Sequence, residues 1–192
     1  KVCIAPLHGS VQSQLKLTHI VNFRPGSTDA IAVSVMNNIL GGGAFSGRLM
    51  QNLREDKAFT YGARSSISTD PLIGNFTAYA DVRNEVTDSA VTEFMYEIRR
   101  MINEPVSSES LDMTKSYMTG SFARSLESPR SVARFALNIE RYNLPEDYYT
   151  TYLEKLNAIT VEEVQRVARK YLKPDQIFIT CVGTAEMAEK LQ

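Results

Sequence analysis

The order of the structural signals along the chain limits its fold more than any other feature. Alternating or continuous apolar runs predict strands, which group early in the chain at 1–6, 14–23, 61–68 and 72–82, with one closing strand at 176–182. Residues 108–172 carry helix signals almost throughout. This grouping favours an α+β fold, a two-layer sandwich in which helices cover one face of an antiparallel or mixed sheet. It does not show the strand–helix alternation of a parallel nucleotide-binding sheet.

Apolar spacing and caps predict the helices. One helix beginning near Ile31 ends at the glycines of 41–43, and a shorter helix carries Phe45, Leu49 and Leu53. Apolar residues recur every four positions over 86–102. Further helix starts are predicted from caps or prolines at Ser128, Leu144, Thr160 and Thr184. Thr160 and Glu163 fit a capping box.

Length and composition predict one domain. A chain of 192 residues with 43% hydrophobic residues can bury a substantial core. A net charge of −1 argues against nucleic-acid binding through bulk electrostatics. No apolar run approaches the roughly 20 residues of a membrane helix. Because the chain opens directly in a strand-like segment, we expect one domain, 1–192, excised from a longer protein. Its composition suits bacterial periplasm or cytoplasm equally.

The two cysteines and two histidines carry little functional signal. Cys3 and Cys181 lie in strand-like runs, which favours buried reduced thiols, although terminal strands can be neighbours and a disulfide stays possible. Cysteines this far apart do not indicate a zinc site. His8 in a turn and His19 on a strand are interpreted as a loop histidine and a sheet-face histidine.

The glycine segment allows two interpretations. Gly42 and Gly47 have the spacing of a phosphate loop, but Arg48 and Leu49 stand where lysine and serine or threonine are required. Leucine cannot ligate magnesium, and the loop follows a predicted helix where the motif needs a strand. Nucleotide binding is therefore disfavoured. The simpler interpretation is that the glycines of 41–43 cap one helix and turn the chain into the next.

Several separated motifs resemble one family. The stretch from Asn38 to Gly62, NILGGG through LREDKAFTYG, closely resembles the C-terminal half of pitrilysin/insulinase-type zinc metallopeptidases, which include the mitochondrial processing peptidases and their bacterial relatives. Ala58-Phe59 stands where the family often has Gly-Leu. Other similar stretches follow in the family's order: VQSQ at 11–14, GSF at 120–122, LES at 126–128, YNLPEDY at 142–148 and VQRVARKYL at 164–172.

The resemblance implies an incomplete enzyme. Such proteins are built from two similar halves or subunits that close around an unfolded peptide, and the N-terminal half holds zinc through H-x-x-E-H. This chain has only His8 and His19, eleven residues apart. We therefore expect it alone to bind no metal and to hydrolyse nothing. The zinc would be held by an N-terminal half or partner subunit, with a peptide as substrate and with neither nucleic acid nor membrane as partner.

The resemblance also implies site residues. By motif, Arg54 and Tyr61 are the arginine and tyrosine that reach across the chamber to the substrate. Arg54 would donate hydrogen bonds to peptide carbonyls, and Tyr61 would donate to the developing oxyanion. Gly41, Gly42 and Gly43 would leave room for the substrate or the facing half.

Other residues near these motifs are expected to be structural. Arg48 and Lys57 are interpreted as solvated helix-end residues rather than substrate contacts. Tyr148, Tyr149 and Tyr152 recur at helical spacing and are interpreted as helix-packing residues.

An alternative function comes from the same family. Some members, such as the respiratory core proteins, have lost the zinc motif and serve as structural or regulatory interaction modules. The presence of both Arg54 and Tyr61 favours the peptidase hypothesis over this one.

Overall fold

A computed structural model describes residues 1–43 and 46–184. These residues form a five-stranded sheet in the order β1-β5-β2-β4-β3, in which β1 and β5 are parallel and all other neighbours are antiparallel. The strands are β1 Val2–Pro6, β2 Gln12–Val21, β3 Thr60–Ser68, β4 Gly74–Arg83 and β5 Phe178–Gly183. The mixed sheet and its helices confirm the predicted α+β sandwich.

Seven α-helices accompany the sheet within the described residues. They are α1 Ala30–Asn37, α2 Arg48–Met50, α3 Thr87–Asn103, α4 Ser108–Leu126, α5 Pro129–Tyr142, α6 Tyr152–Ala158 and α7 Val161–Tyr171. Two of them continue in wider turns, since α1 runs into a π-helical segment over Asn38–Gly42 and α2 into one over Gln51–Asp56. The first segment includes Gly41 and Gly42.

One face of the sheet packs against the helices. Alternate residues of β2 and β4, such as Leu17 and Phe76, are fully buried, as the period of a half-buried strand predicts. Helix α3 contacts both strands. Its residues Ala90, Phe94 and Ile98 are fully buried, which confirms the four-residue apolar period over 86–102. The core therefore lies between the sheet and the helical layer.

The capping box is confirmed at the start of α7. The Thr160 hydroxyl accepts from the Glu163 backbone N–H at 3.3 Å, and the Glu163 carboxylate accepts from the Thr160 N–H at 3.1 Å. Ser128 also occupies the predicted cap position before Pro129, but its side chain makes no capping hydrogen bond.

The predicted helix start at Leu144 is wrong. Helix α5 ends at Tyr142, and the left-handed backbone of Asn143 turns the chain. Residues 146–150 form turns before α6 begins at Tyr152. The hydroxyls of Thr150 and Thr151 both donate to the Asp147 carbonyl, which also accepts the Thr151 backbone N–H at 2.9 Å. The predicted helix from Thr184 onward lies outside the described residues, apart from Thr184 itself. Phe45 of the predicted short helix also lies outside them.

The two cysteines do not meet. In the parallel pairing of β1 with β5, Cys3 lies opposite Thr180 and Ile4 lies opposite Cys181. Adjacent positions on neighbouring strands point to opposite faces, so no disulfide joins the two cysteines. Cys181 is buried as predicted, and burial raises the pKa of its thiol. Cys3 is exposed, because β1 is an edge strand, so its predicted burial is wrong.

A buried carboxylate joins the start of α1 to α7. Asp29 accepts hydrogen bonds from Arg166 at 2.8 Å, Lys170 at 2.7 Å and Tyr171 at 2.8 Å. Burial alone would raise the pKa of Asp29, but these three donors outweigh it and hold the pKa well below its ordinary value. Asp29 is therefore ionised in the folded protein throughout the ordinary pH range.

Asp29→Asn is expected to lower the free energy of unfolding by about 2 kcal/mol at pH 7, because it weakens charge-assisted hydrogen bonds. Since the folded pKa lies below the unfolded one, the contribution is complete above about pH 4 and is lost as the pH falls towards the folded pKa. Urea unfolding at pH 7 and pH 3 should therefore show a smaller acid-induced loss in this variant than in the unchanged chain. Asp112→Asn, on the exposed surface of α4, is the control, and equal losses in the two variants would contradict the assignment.

The end of the second π-helical segment is strained. Ala58 has a φ of 53°, in the left-handed region that favours glycine. Its N–H donates to the Arg54 carbonyl at 3.0 Å, and the Phe59 N–H donates to the Leu53 carbonyl at 2.8 Å. Alanine therefore occupies a helix-terminating position that usually belongs to glycine.

Ala58→Gly is expected to raise the free energy of unfolding by about 0.5–1 kcal/mol, because relief of the left-handed strain exceeds the extra entropy that glycine loses on folding. The matched control is Ala133→Gly, which is exposed in the middle of α5 and should lower stability by about 1 kcal/mol. Thermal unfolding of both variants checks the opposite signs. A loss of stability in Ala58→Gly would contradict the strain.

Candidate functional site

The glycines bring the α1–α2 connection close to β3. A Cβ atom at Gly41 would lie 2.7 Å from the Ser65 backbone nitrogen and 2.8 Å from Leu49 Cδ1, and one at Gly47 would lie 3.0 Å from Gly41 Cα. Only glycine permits such an approach. Gly41 and Gly43 are buried, whereas Gly42 is exposed. The close packing accounts for Gly41 and Gly47. Contact of Gly41, Gly42 and Gly43 with a substrate stays a prediction.

Two side chains fasten the first π-helical segment to the same strand. The Asn37 amide donates to the Ser65 carbonyl at 3.2 Å, and the Ser65 hydroxyl donates to Asn37 Oδ1 at 2.9 Å. The glycine segment follows a helix here, not the strand that a phosphate loop needs. Leu49 is fully buried. The geometry gives the phosphate-loop interpretation no support.

Arg54 lies on the second π-helical segment. Its side chain is 36% exposed, and its Nε lies 3.5 Å from the Glu55 carboxylate. An exposed ion pair of this kind contributes little to stability. The guanidinium carries several N–H donors, which suit a bound group that offers oxygen atoms.

Tyr61 lies in a β-bulge. Thr60 pairs with Val82 and Ala63 pairs with Ala80, so Tyr61 and Gly62 together lie opposite Asp81. In a regular strand Tyr61 would share the buried face of Ala63, two residues on. The bulge changes this direction, and Tyr61 is 89% exposed.

The Thr60 hydroxyl supports the bulge. It donates to the Asp81 carbonyl at 2.6 Å and accepts from the Gly62 N–H at 3.1 Å. These contacts satisfy backbone groups that the interrupted strand pairing would otherwise leave without partners. The direction of Tyr61 is thus built into the start of β3.

Arg54 and Tyr61 line one cleft. It has a volume of about 340 Å³ and lies where β2 and β3 begin and β4 ends. Its lining residues are Gln12, Arg54, Ala58, Phe59, Thr60, Tyr61 and Arg83. Two guanidiniums, an amide and a phenol supply hydrogen-bond donors, and no acidic side chain lines the cleft within the described part of the chain. The cleft is suited to bind carbonyl or carboxylate oxygens.

Two of these hydrogen-bond donors, Gln12 and Arg83, were not predicted from the sequence. Gln12 opens β2 and Arg83 closes β4, and the strand register places them directly opposite each other. Arg83 also forms an exposed ion pair with Glu85 at 3.0 Å. Only knowledge of the register could have brought Gln12 and Arg83 to the same end of the sheet as Tyr61.

The expectation for Arg48 is wrong. Helix α3 covers this residue, so its guanidinium is half-buried, and its Nη1 atom is fully enclosed. Burial lowers the pKa of Arg48, the nearby Arg100 lowers it further, and the Glu97 charge opposes both. Lys57 is exposed as predicted and lies 3.3 Å from the Glu93 carboxylate.

The three tyrosines take part in helix packing, as predicted. Tyr149 stacks on Phe135 with ring centroids 4.1 Å apart, and Tyr152 packs against Phe122 at 4.6 Å. Tyr148 meets Tyr149 edge to face at 5.1 Å. The rings form one wall of a surface cavity between α1, α4 and α5.

The histidines lie apart from the cleft. His8 is exposed in a turn, and His19 is 2% exposed on the buried face of β2. His19 Nε2 accepts from the Lys173 N–H at 3.3 Å, and burial lowers the pKa of the imidazole, so its neutral form is favoured. Within residues 1–43 and 46–184, no three histidine, cysteine or carboxylate side chains cluster as metal ligands would. None of the helices described there has the length and apolarity to cross a membrane.

Known proteins resemble the chain in sequence and in fold. It is 29% identical over 143 residues to the zinc protease YmxG of Bacillus subtilis. The aligned region covers 73% of this chain and 34% of YmxG. A peptidase M16 inactive domain from Pseudomonas fluorescens is 27% identical, with a TM-score of 0.87 over 96% of this chain and 43% of that one. A protease from Helicobacter pylori shares the fold, with a TM-score of 0.84 at 19% identity over 94% of this chain and 43% of that one.

The chain thus spans less than half the length of each of these relatives. A family model described as the peptidase M16 inactive domain matches residues 11–118, which is more than half of the chain. The match includes the glycine segment, Arg54 and Tyr61. The chain therefore belongs to the family of peptidase M16 inactive domains.

Proposed function

We propose that this domain is the half of a zinc metallopeptidase that lacks the metal, and that its cleft binds an extended peptide and stabilises the transition state of its hydrolysis. The observation that carries the proposal is the convergence of Arg54 and Tyr61 on one cleft, although they come from different elements. The likeness to a zinc protease supports it. Zinc held by the other half would activate water for attack on the scissile carbonyl.

Arg54 binds the peptide. Its guanidinium carries several N–H donors in a fixed plane, which suits successive carbonyl oxygens of an extended backbone. Arg54 thereby holds the scissile bond in register and acts mainly on substrate binding.

Tyr61 acts on the transition state. Its hydroxyl donates a hydrogen bond to the oxygen that becomes negative when the carbonyl is attacked. The bulge fixes the start of β3, so the phenol is aimed out of the fold before the substrate arrives. Because the bond strengthens as charge develops, its contribution appears in kcat.

Tyr61→Phe in the complete zinc-loaded protein is expected to lower kcat about a hundredfold on an unstructured peptide, because one oxyanion donor is lost. Arg54→Ala should instead raise KM, with a smaller change in kcat. Steady-state kinetics measures both. Tyr79→Phe and Arg64→Ala, exposed on β4 and β3 outside the cleft, are matched controls and should change neither constant.

Unchanged kinetics in both cleft variants would contradict the proposal. The alternative, that this domain is an interaction module, predicts a different result. In that case the complete protein cleaves no peptide even with zinc supplied, while the two halves still associate.

A further inference from the structure

Two carboxylates of α3 face the segment that carries Arg54. Glu93 and Glu97 lie one helical turn apart, and the Asn52 amide nitrogen donates to both, at 2.9 Å to Glu93 Oε2 and 2.9 Å to Glu97 Oε1. An amide nitrogen carries two hydrogens, so both bonds form together. Asn52 is therefore fixed in direction by two acceptors on a rigid helix.

Glu93 also holds the other end of the segment. Its second oxygen, Oε1, lies 3.3 Å from Lys57 Nζ. Asn52 and Lys57 lie on either side of Arg54 in the chain. A single carboxylate thus spans most of the π-helical segment, and Arg54 is one of the four residues between the two attachment points.

The segment needs such support. π-Helical turns are rare and mostly short, and α2 together with its extension is too short to be stable in isolation. The segment also ends at the strained Ala58. Contacts with α3, together with those with β3, therefore fix the backbone from which Arg54 projects.

Glu97 lies in a buried, charged setting. It is 2% exposed, its Oε1 atom lies 3.6 Å from Arg100 Nη1, and the half-buried Arg48 interacts with it electrostatically. Two guanidiniums thus offset the cost of burying this carboxylate. Glu97 is fixed in place, which makes it a rigid acceptor for Asn52.

We propose that Glu93 and Glu97 are positioning residues that set the direction of Arg54 through Asn52 and Lys57, an inference that rests on the proposed function of Arg54. Neither carboxylate lines the cleft, so neither contacts the peptide. They act by holding the segment that presents Arg54. Removing these carboxylates should weaken substrate binding as the loss of Arg54 does, because they act only through the position of Arg54.

A double-mutant cycle in the complete zinc-loaded protein tests this link. Glu93→Gln, at a partly exposed position, is expected to fold and to raise KM about tenfold. The same substitution in an Arg54→Ala background should have no further effect, because the residue it positions is gone. The control is Glu163→Gln, which weakens the capping box of α7 and should lower the melting temperature without changing KM.

Hydrogen exchange of the same protein tests the attachment of this segment to α3 independently of activity. Glu93→Gln and Glu97→Gln should speed amide exchange over residues 52–59 about tenfold, whereas Glu163→Gln should speed it only near the start of α7. Unchanged exchange over 52–59, or a KM effect that persists in the Arg54→Ala background, would overturn the positioning role. A normal KM in Arg54→Ala alone would instead overturn the proposed function, and the inference with it.

Discussion

The close approach of the Gly41 backbone to Ser65 of β3 determines how the rest of the site is arranged. Any side chain at Gly41 would clash with the strand and with Leu49. Because this contact is tight, the connection from α1 to α2 lies directly on β3, and Asn37 fastens it there with two hydrogen bonds. Arg54 and Tyr61, seven residues apart on different elements, can then line the same cleft.

Separate structural features set the directions of the Arg54 and Tyr61 side chains. The β-bulge turns Tyr61 away from the face that its position in the strand would give it, and the Thr60 hydroxyl holds that bulge. Arg54 depends instead on a π-helical segment attached to α3 through Asn52 and Lys57. Both are irregular backbone features held by side-chain contacts, which is common at functional sites. The regular sheet and helices supply the rigid frame behind them.

Local signals in the sequence predicted most of the elements. Strand alternation, the apolar period of α3 and the capping box of α7 depend on neighbouring residues, and all are confirmed. The bulge, the wider helical turns and the partnership of Gln12 with Arg83 depend on register and long-range contact, which the sequence does not reveal. Arg48 was misjudged for the same reason, since the α3 surface that covers it comes from a distant part of the chain.

In the proposed function, the cleft of Arg54 and Tyr61 meets a peptide at the zinc of another half. A crystal structure of the complete protein with zinc and an uncleaved peptide bound tests this directly. We expect the Tyr61 hydroxyl to lie within hydrogen-bonding distance of the scissile carbonyl oxygen and Arg54 to contact the peptide backbone. A peptide bound at the zinc with both side chains left in solvent would contradict it.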